Sequence, residues 1–299
     1  MLVPRWGEEM TMASVYRSAR GQREIRDWCL QRIDAWDVVS ERWQILTCAG
    51  LTSALIAGPR PSRDTPTVVL VPGTNMSAAV CLASAGELAA RWPTVVLDIP
   101  GQPGLSGDER PRRGRNWWYG QWLAEAIEQT VPGPAVAVGH SLGGAAILAC
   151  PSLQIAGQVL ISPAGLSRLV ASPPVVATTV AWLARPTLHR STNLLGHMVG
   201  PDSPVPTGLA EWMTVVARFC HSTLTPGPLP SAMLDRRRAR ASVVAAGSDD
   251  ILLPPARLGP ATRRHLGSDL RVFGGRGHLL FEEAPKEIAT LVGEVYAVA

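Results

Sequence analysis

Ala135-Val136-Ala137-Val138-Gly139-His140-Ser141-Leu142-Gly143-Gly144-Ala145-Ala146-Ile147-Leu148 is the stretch on which the reading of this chain turns. A short apolar run reads as a buried strand. A run of small and apolar residues after it reads as a helix. Between them lies Gly139-His140-Ser141-Leu142-Gly143, a G-x-S-x-G pentapeptide. A serine on a sharp strand-to-helix turn is the arrangement known as a nucleophile elbow. Glycines two residues to either side leave room for the turn. The helix that begins there aims its unpaired N–H groups toward the serine, which favours developing negative charge.

A serine hydroxyl needs a base to take its proton, and the base needs an acid to orient it. Candidates for both follow in the order Ser, Asp, His. The acid lies in Val243-Val244-Ala245-Ala246-Gly247-Ser248-Asp249-Asp250, a strand and a Gly-led turn. The histidine lies in Gly274-Gly275-Arg276-Gly277-His278, after the strand Leu270–Phe273. Each therefore falls just past the C-terminal end of a strand, where ligands and reactive groups collect in open α/β sheets. The register after Gly247 favours Asp250 as the acid, with Asp249 its competitor. His140 adjoins Ser141, but its side chain must point away on so sharp a turn, so it reads as a packing or hydrogen-bonding residue. His189, His197, His221 and His265 read as solvent-facing or satisfied, and no pair has metal-ligand spacing.

Further blocks support this reading. Val68-Val69-Leu70-Val71-Pro72-Gly73-Thr74 looks like a strand and oxyanion loop, and Val95–Ser106 contains Asp98-Ile99-Pro100-Gly101-Gln102-Pro103-Gly104-Leu105-Ser106. Gly247-Ser248-Asp249-Asp250-Ile251-Leu252-Leu253-Pro254 and Gly277-His278 followed by Glu282-Glu283-Ala284-Pro285 complete the set. From about Leu46 onward these blocks resemble the α/β-hydrolase superfamily, and most closely bacterial carboxylesterases of the naproxen-esterase type. The resemblance implies a mostly parallel eight-stranded sheet with helices on both faces and a helical cap inserted after strand 6. It implies Ser141 as nucleophile, His278 as base and Asp250 as acid. Leu142 and Thr74 are then the backbone N–H donors to the oxyanion. Pro72 stands where the family usually has His, which leaves Thr74 and Asn75 both open as the second donor. Asp98 precedes the nucleophile and is read as tying down the Pro100–Ser106 loop.

The implied activity is hydrolysis of a small-to-medium apolar carboxylic ester through an acyl-serine, with no cofactor and no metal. The same triad also serves a pathway-specific lactonase, a thioesterase or an acyl-transferring cyclase, and the fold also hosts non-catalytic ligand receptors. Serine in the elbow argues against dehalogenase and epoxide-hydrolase chemistry, which use Asp there in this superfamily.

Composition sets outer bounds. The 299 residues are 46% hydrophobic and 17% charged, enough for a large core. The net charge of +4 draws on two arginine clusters, Arg110, Arg112, Arg113 and Arg115, then Arg236, Arg237, Arg238 and Arg240. No stacking aromatics are interleaved and no nucleic-acid module is visible, so both read as solvated loops rather than a nucleic-acid surface. Five cysteines without a C-x-x-C pair read mostly as buried free thiols. Residues 131–167 carry no Asp, Glu, Lys or Arg, yet four prolines and the elbow glycines break up any membrane span. The N-terminal stretch lacks an apolar signal region, which makes a cytoplasmic protein the expectation. Ten Trp against three Phe and three Tyr is unusual.

Ser14–Trp36 has helical spacing of Ile25, Trp28, Cys29, Ile33 and Trp36. Val38–Leu46 and Leu51–Ala57 read as a hairpin that opens the sheet. Strands near Thr67–Val71, Thr94–Leu97, Ala135–Val138, Gln158–Ile161, Ser242–Ala246 and Leu270–Phe273 then alternate with helices, which implies a parallel sheet. The gap from Ser162 to Ser242 is too long for a crossover. The expected organisation is an N-terminal helical extension (1–36), a core (37–165 and 236–299) and a helical cap (166–235). The expected partner is a small-molecule ester or related acyl compound, with oligomeric state open.

Overall fold

The computed structural model describes residues 11–222, 227–235 and 240–299. Arg236, Arg237 and Arg238 of the second basic cluster lie outside the described residues. The chain enters through a short strand, β1 (Met12–Ser14), and a helix, α1 (Ala19–Asp34). Ser18 caps α1 by accepting from the Gly21 N–H, and Ile25, Cys29 and Ile33 form its buried stripe at four-residue spacing. The hairpin β2 (Ser40–Thr47) and β3 (Gly50–Ala57) follows. Next come β4 (Thr67–Val71), α2 (Leu82–Ala89), β5 (Thr94–Leu97), β6 (Glu109–Pro111), α3 (Arg115–Thr130), β7 (Ala135–His140), α4 (Leu142–Ala149) and β8 (Ile155–Ile161). Four helices then intervene: α5 (Pro173–Ala184), α6 (Leu188–Gly196), α7 (Thr207–Phe219) and α8 (Ser231–Leu234). The chain ends with β9 (Ala241–Gly247), α9 (Pro255–Leu266), β10 (Leu270–Phe273), α10 (Leu280–Glu283) and α11 (Pro285–Tyr296).

The main sheet has eight strands in the order β10-β9-β8-β7-β4-β5-β3-β2. β3 runs antiparallel to both its neighbours, and the remaining pairings are parallel. The eight strands are those expected from the alternation of apolar runs. Because side chains alternate along a strand, β4 supplies both apolar layers. Val68 and Leu70 join Val136, Val138, Val159 and Ile161 under α1, α2, α7 and α11. Val69 and Val71 join Val95, Leu97, Ala137 and Leu160 under α3, α4 and α9. Burial on both faces accounts for the uninterrupted apolar character of the central strands.

Several features depart from the sequence expectation. β1 pairs with β6 in a separate two-stranded sheet. Arg110, read as a solvated loop residue, is buried at the β6 end of that sheet. Its guanidinium donates to the Gly101 and His221 carbonyls, which takes it out of the surface cluster. α2 begins at Leu82 rather than near Ala78, because the Asp98 carboxylate takes the Ala78 N–H into a loop contact. The tryptophan excess also has a structural use. Trp122, Trp182 and Trp212 are fully buried and each indole N–H has an acceptor, on Thr52, Met213 and Asn75 respectively. A large apolar body with one satisfied donor suits the seams between layers. All five cysteines are free, and all but Cys48 are buried. Among the described residues no helix is long and apolar enough to cross a membrane.

Candidate active site

β7 ends at His140 and α4 starts at Leu142, so Ser141 alone makes the turn. Its backbone, φ 48° and ψ −109°, lies where non-glycine residues are strained by about 1–3 kcal/mol. Neighbours over-determine that geometry. The Ser141 N–H donates to the Ile161 carbonyl, and its own carbonyl accepts from Ala145 and Ala164. The flanking glycines are required by close approach. A Cβ on Gly139 would sit 2.6 Å from Ile147 Cδ1 and 2.7 Å from the Gly143 carbonyl carbon. One on Gly143 would overlap the Val71 carbonyl oxygen and lie 2.6 Å from that of Pro72.

The structure brings Asp250 and His278 together. His278 Nδ1 lies 2.9 Å from Asp250 Oδ2, while Asp250 Oδ1 accepts the N–H groups of Leu252 and Leu253 at 2.9 and 2.8 Å. Asp249 is exposed, and its Oδ2 accepts from the neighbouring Ser248 hydroxyl. Of the two carboxylates, only Asp250 faces the histidine. The His278 loop is held from two sides. Glu283 takes the N–H groups of Gly277 and Gly200 on its two oxygens, and the Leu279 N–H donates to the Met198 carbonyl.

His140 joins this loop to the elbow. Its Nε2–H donates to the His278 carbonyl at 2.9 Å, and its ring stacks on Phe281. Burial first, and the neighbouring His278 charge second, press its pKa down to about 3, so it is neutral at pH 7. Burial also opposes charge on His278, but the Asp250 carboxylate and its hydrogen bond outweigh it and raise His278 above the ordinary histidine value. Burial would likewise raise Asp250. The His278 charge and hydrogen bonds from His278 and Leu253 override it and hold the carboxyl at about 2. Burial pushes Glu282 up to about 8, so it keeps its proton at neutral pH.

The loop after β4 lies against the elbow: a Cβ on Gly73 would meet His140 Nδ1 at 2.9 Å and Ser141 Cβ at 3.5 Å. Thr74 and Asn75 form the centre of a turn closed by Met76 N–H to Gly73 carbonyl, with Asn75 at φ 60°. The Asn75 N–H is engaged by Gln102 Oε1 at 2.9 Å. Leu142, as the first residue of α4, has an N–H without an acceptor inside its own helix. Asp98 takes the Ala78 and Leu105 N–H groups on its carboxylate and the Ser106 hydroxyl on its carbonyl, which ties the following loop to the β4 loop. Gln102 and Trp212 were not singled out from the sequence, because their hydrogen-bond partners are remote along the chain.

Ser141 and His278 each expose only 5% of their surface, so this site is covered in the present conformation. Among the described residues no three His, Cys, Asp or Glu side chains gather as a metal ligand set.

Comparison with known proteins agrees with this architecture. Residues 68–291 match the model of a family described as the alpha/beta hydrolase family. The naproxen esterase (carboxylesterase NP) of Bacillus subtilis superposes with a TM-score of 0.74 at 19% identity, over 93% of this chain and 98% of that one. The carboxylesterase CesB of the same organism gives 0.73 at 19% identity, over 92% and 98%. An uncharacterized protein of Mycobacterium tuberculosis is 24% identical over 86% of this chain and 81% of its own length. At these identities the two solved structures bear on the fold alone.

Proposed function

The chain belongs to the alpha/beta hydrolase family, and from that premise we propose that it is a serine hydrolase cleaving a small-to-medium apolar carboxylic ester through an acyl-serine intermediate. The observation that carries the reading is the buried Asp250–His278 pair, tied through His140 to the strained turn that holds Ser141.

Ser141 Oγ attacks the ester carbonyl while His278 Nε2 takes its proton. Asp250 keeps the other ring proton on Nδ1 and stabilises the imidazolium. The N–H groups of Leu142 and Thr74 receive the oxyanion. The Asn75 N–H, the alternative second donor, lies 2.9 Å from Gln102 Oε1. Two preorganised donors act most strongly where water is excluded, and the low exposure of Ser141 and His278 supports such a site. His278 then protonates the leaving alcohol and activates the water that releases the acid.

Residues 166–235 act as a cap in this reading. The support is that α5, α6 and α7 interrupt the strand–helix alternation and pack by Trp182, Leu194, Leu195 and Trp212, and that the α6–α7 connection touches the Leu279 N–H at Met198 and Glu283 at Gly200. An apolar cap over buried chemistry favours apolar acyl groups. The test is turnover of p-nitrophenyl esters of increasing chain length. Ser141→Ala should lower kcat by about 10⁶-fold, the scale of losing a triad nucleophile. Hydrolysis by that folded variant at the wild-type rate would refute the proposal.

A further inference from the structure

We infer that Gln102 and Trp212 are positioning residues that hold the oxyanion loop in its working shape by gripping Asn75 from opposite sides. The inference rests on the reading of Thr74 as an oxyanion donor and adds residues that the reading does not require.

Asn75 is a non-glycine residue at φ 60° in the third position of a turn closed from Met76 to Gly73, the pattern of a type II turn. Such a turn has a close rival. If the central peptide flips, the Thr74 carbonyl and the Asn75 N–H exchange sides and Asn75 leaves the left-handed region. Gln102 blocks that flip. Its Oε1 accepts the Asn75 N–H at 2.9 Å, and in the flipped form two oxygens would face each other. Gln102 is itself fixed, being 2% exposed, with Nε2 donating to the buried Tyr119 hydroxyl at 3.2 Å.

On the other side the Trp212 indole N–H donates to the Asn75 carbonyl at 2.6 Å. Trp212 is fully buried, and its ring packs on Trp28 of α1 with centroids 4.7 Å apart. The Asn75 side chain adds a longer bond, Nδ2 to Ser222 Oγ at 3.4 Å. Both peptides of Asn75 are therefore clamped, one from the loop after β5 and one from α7. Thr74 shares its carbonyl with the first of those peptides, so the clamp anchors the C-terminal side of the residue whose N–H is read as the oxyanion donor, and losing it frees the loop to shift that N–H out of place. Because Trp212 belongs to α7, seating of that helix and shaping of the oxyanion loop become a single event. α1 supports both through Trp28.

The decisive experiment compares Gln102→Leu, which removes the acceptor, Gln102→Glu, which keeps one, and Trp212→Phe, which keeps the ring but not the donor. Each is measured for kcat and KM on a p-nitrophenyl ester, for inhibition by a trifluoromethyl ketone, and for thermal melting. A misdirected donor acts on the transition state, so kcat should fall about 10- to 100-fold in Gln102→Leu and Trp212→Phe with KM within about twofold. Affinity for the ketone, which forms a tetrahedral adduct, should fall in step with kcat/KM, and Gln102→Glu should recover most of the loss. Unchanged kcat and ketone affinity in folded variants, or a rise in KM alone, overturns the inference. If Gln102→Leu does not fold, Trp212→Phe decides. A wild-type protein that neither turns over esters nor is acylated at Ser141 would overturn the acyl-serine reading itself. Active wild type with indifferent variants would overturn only the clamp.

Discussion

Asp250→Asn should reverse the polarity of the histidine rather than merely weaken it. Asp250 Oδ1 receives two backbone N–H groups, from Leu252 and Leu253, at 2.9 and 2.8 Å. An asparagine there must keep its carbonyl oxygen toward those donors, since its NH2 would face them donor to donor. The NH2 is then forced into the place of Oδ2, 2.9 Å from His278 Nδ1. Nδ1 must become the acceptor, the ring proton moves to Nε2, and the nitrogen that should take the serine proton is already protonated. In the type case of a Ser-His-Asp triad this change costs about 10⁴-fold in kcat, or roughly 5.4 kcal/mol at 1.36 per decade. The residual activity should also titrate differently. With the carboxylate gone, burial is opposed only by the weaker pull of Glu282, so the His278 pKa falls and the acid limb of the residual profile should move to lower pH. Asp249→Asn removes only an exposed contact with Ser248 and should change kcat by less than about threefold. Ester hydrolysis from pH 5 to 9, with melting curves to verify folding, measures both. An Asp250→Asn variant within tenfold of wild type, or a larger loss in Asp249→Asn, would refute the argument.

Two further outcomes follow from the geometry. Gly143→Ala places a methyl against the Val71 and Pro72 carbonyls, and Val71 is in β4, locked between β5 and β7. The elbow must therefore lift on the order of 1 Å, with stability falling by about 1–3 kcal/mol and kcat by about 10²-fold. Retained melting temperature and turnover in that variant would contradict the close approach. In the wild type, His278 works as a base only when neutral, and its pKa is raised, so kcat/KM should fall as pH drops through a midpoint above the ordinary 6.5. The same shift makes the pair's stability contribution full below about 6.5 and lost as pH rises through the folded value; for Asp250 it is lost as pH falls toward 2. A kinetic midpoint below 6.5 would show that burial outweighs the carboxylate.

The parts of this molecule legible from sequence are those written in local pattern. β4 and β5 fall where uninterrupted apolar runs place them, because these central strands are buried on both faces. The elbow is legible because its serine and both glycines fall within five consecutive residues, although the carbonyls that exclude a side chain at Gly143 belong to Val71 and Pro72. β1 and β6 are not, since three residues cannot display a period and their pairing spans the distance from Met12 to Pro111. Arg110 looks like its exposed neighbours Arg112 and Arg113 in sequence, and only the folded chain brings the Gly101 and His221 carbonyls to it. The choice between Asp249 and Asp250 needed the direction of two adjacent side chains, which a one-residue slip of register would exchange. The clamp on Asn75 was out of reach for a similar reason: its bonds join side chain to backbone across 27 and 137 positions, where no spacing rule operates.

The most direct measurement of the central claim is the covalent one. The purified protein is treated with a fluorophosphonate, weighed intact and digested to locate the adduct. The account predicts one adduct per chain, on Ser141, with His278→Ala labelled far more slowly and Ser141→Ala not labelled. Stoichiometric labelling that persists in Ser141→Ala, or maps to another residue in the wild type, would contradict it.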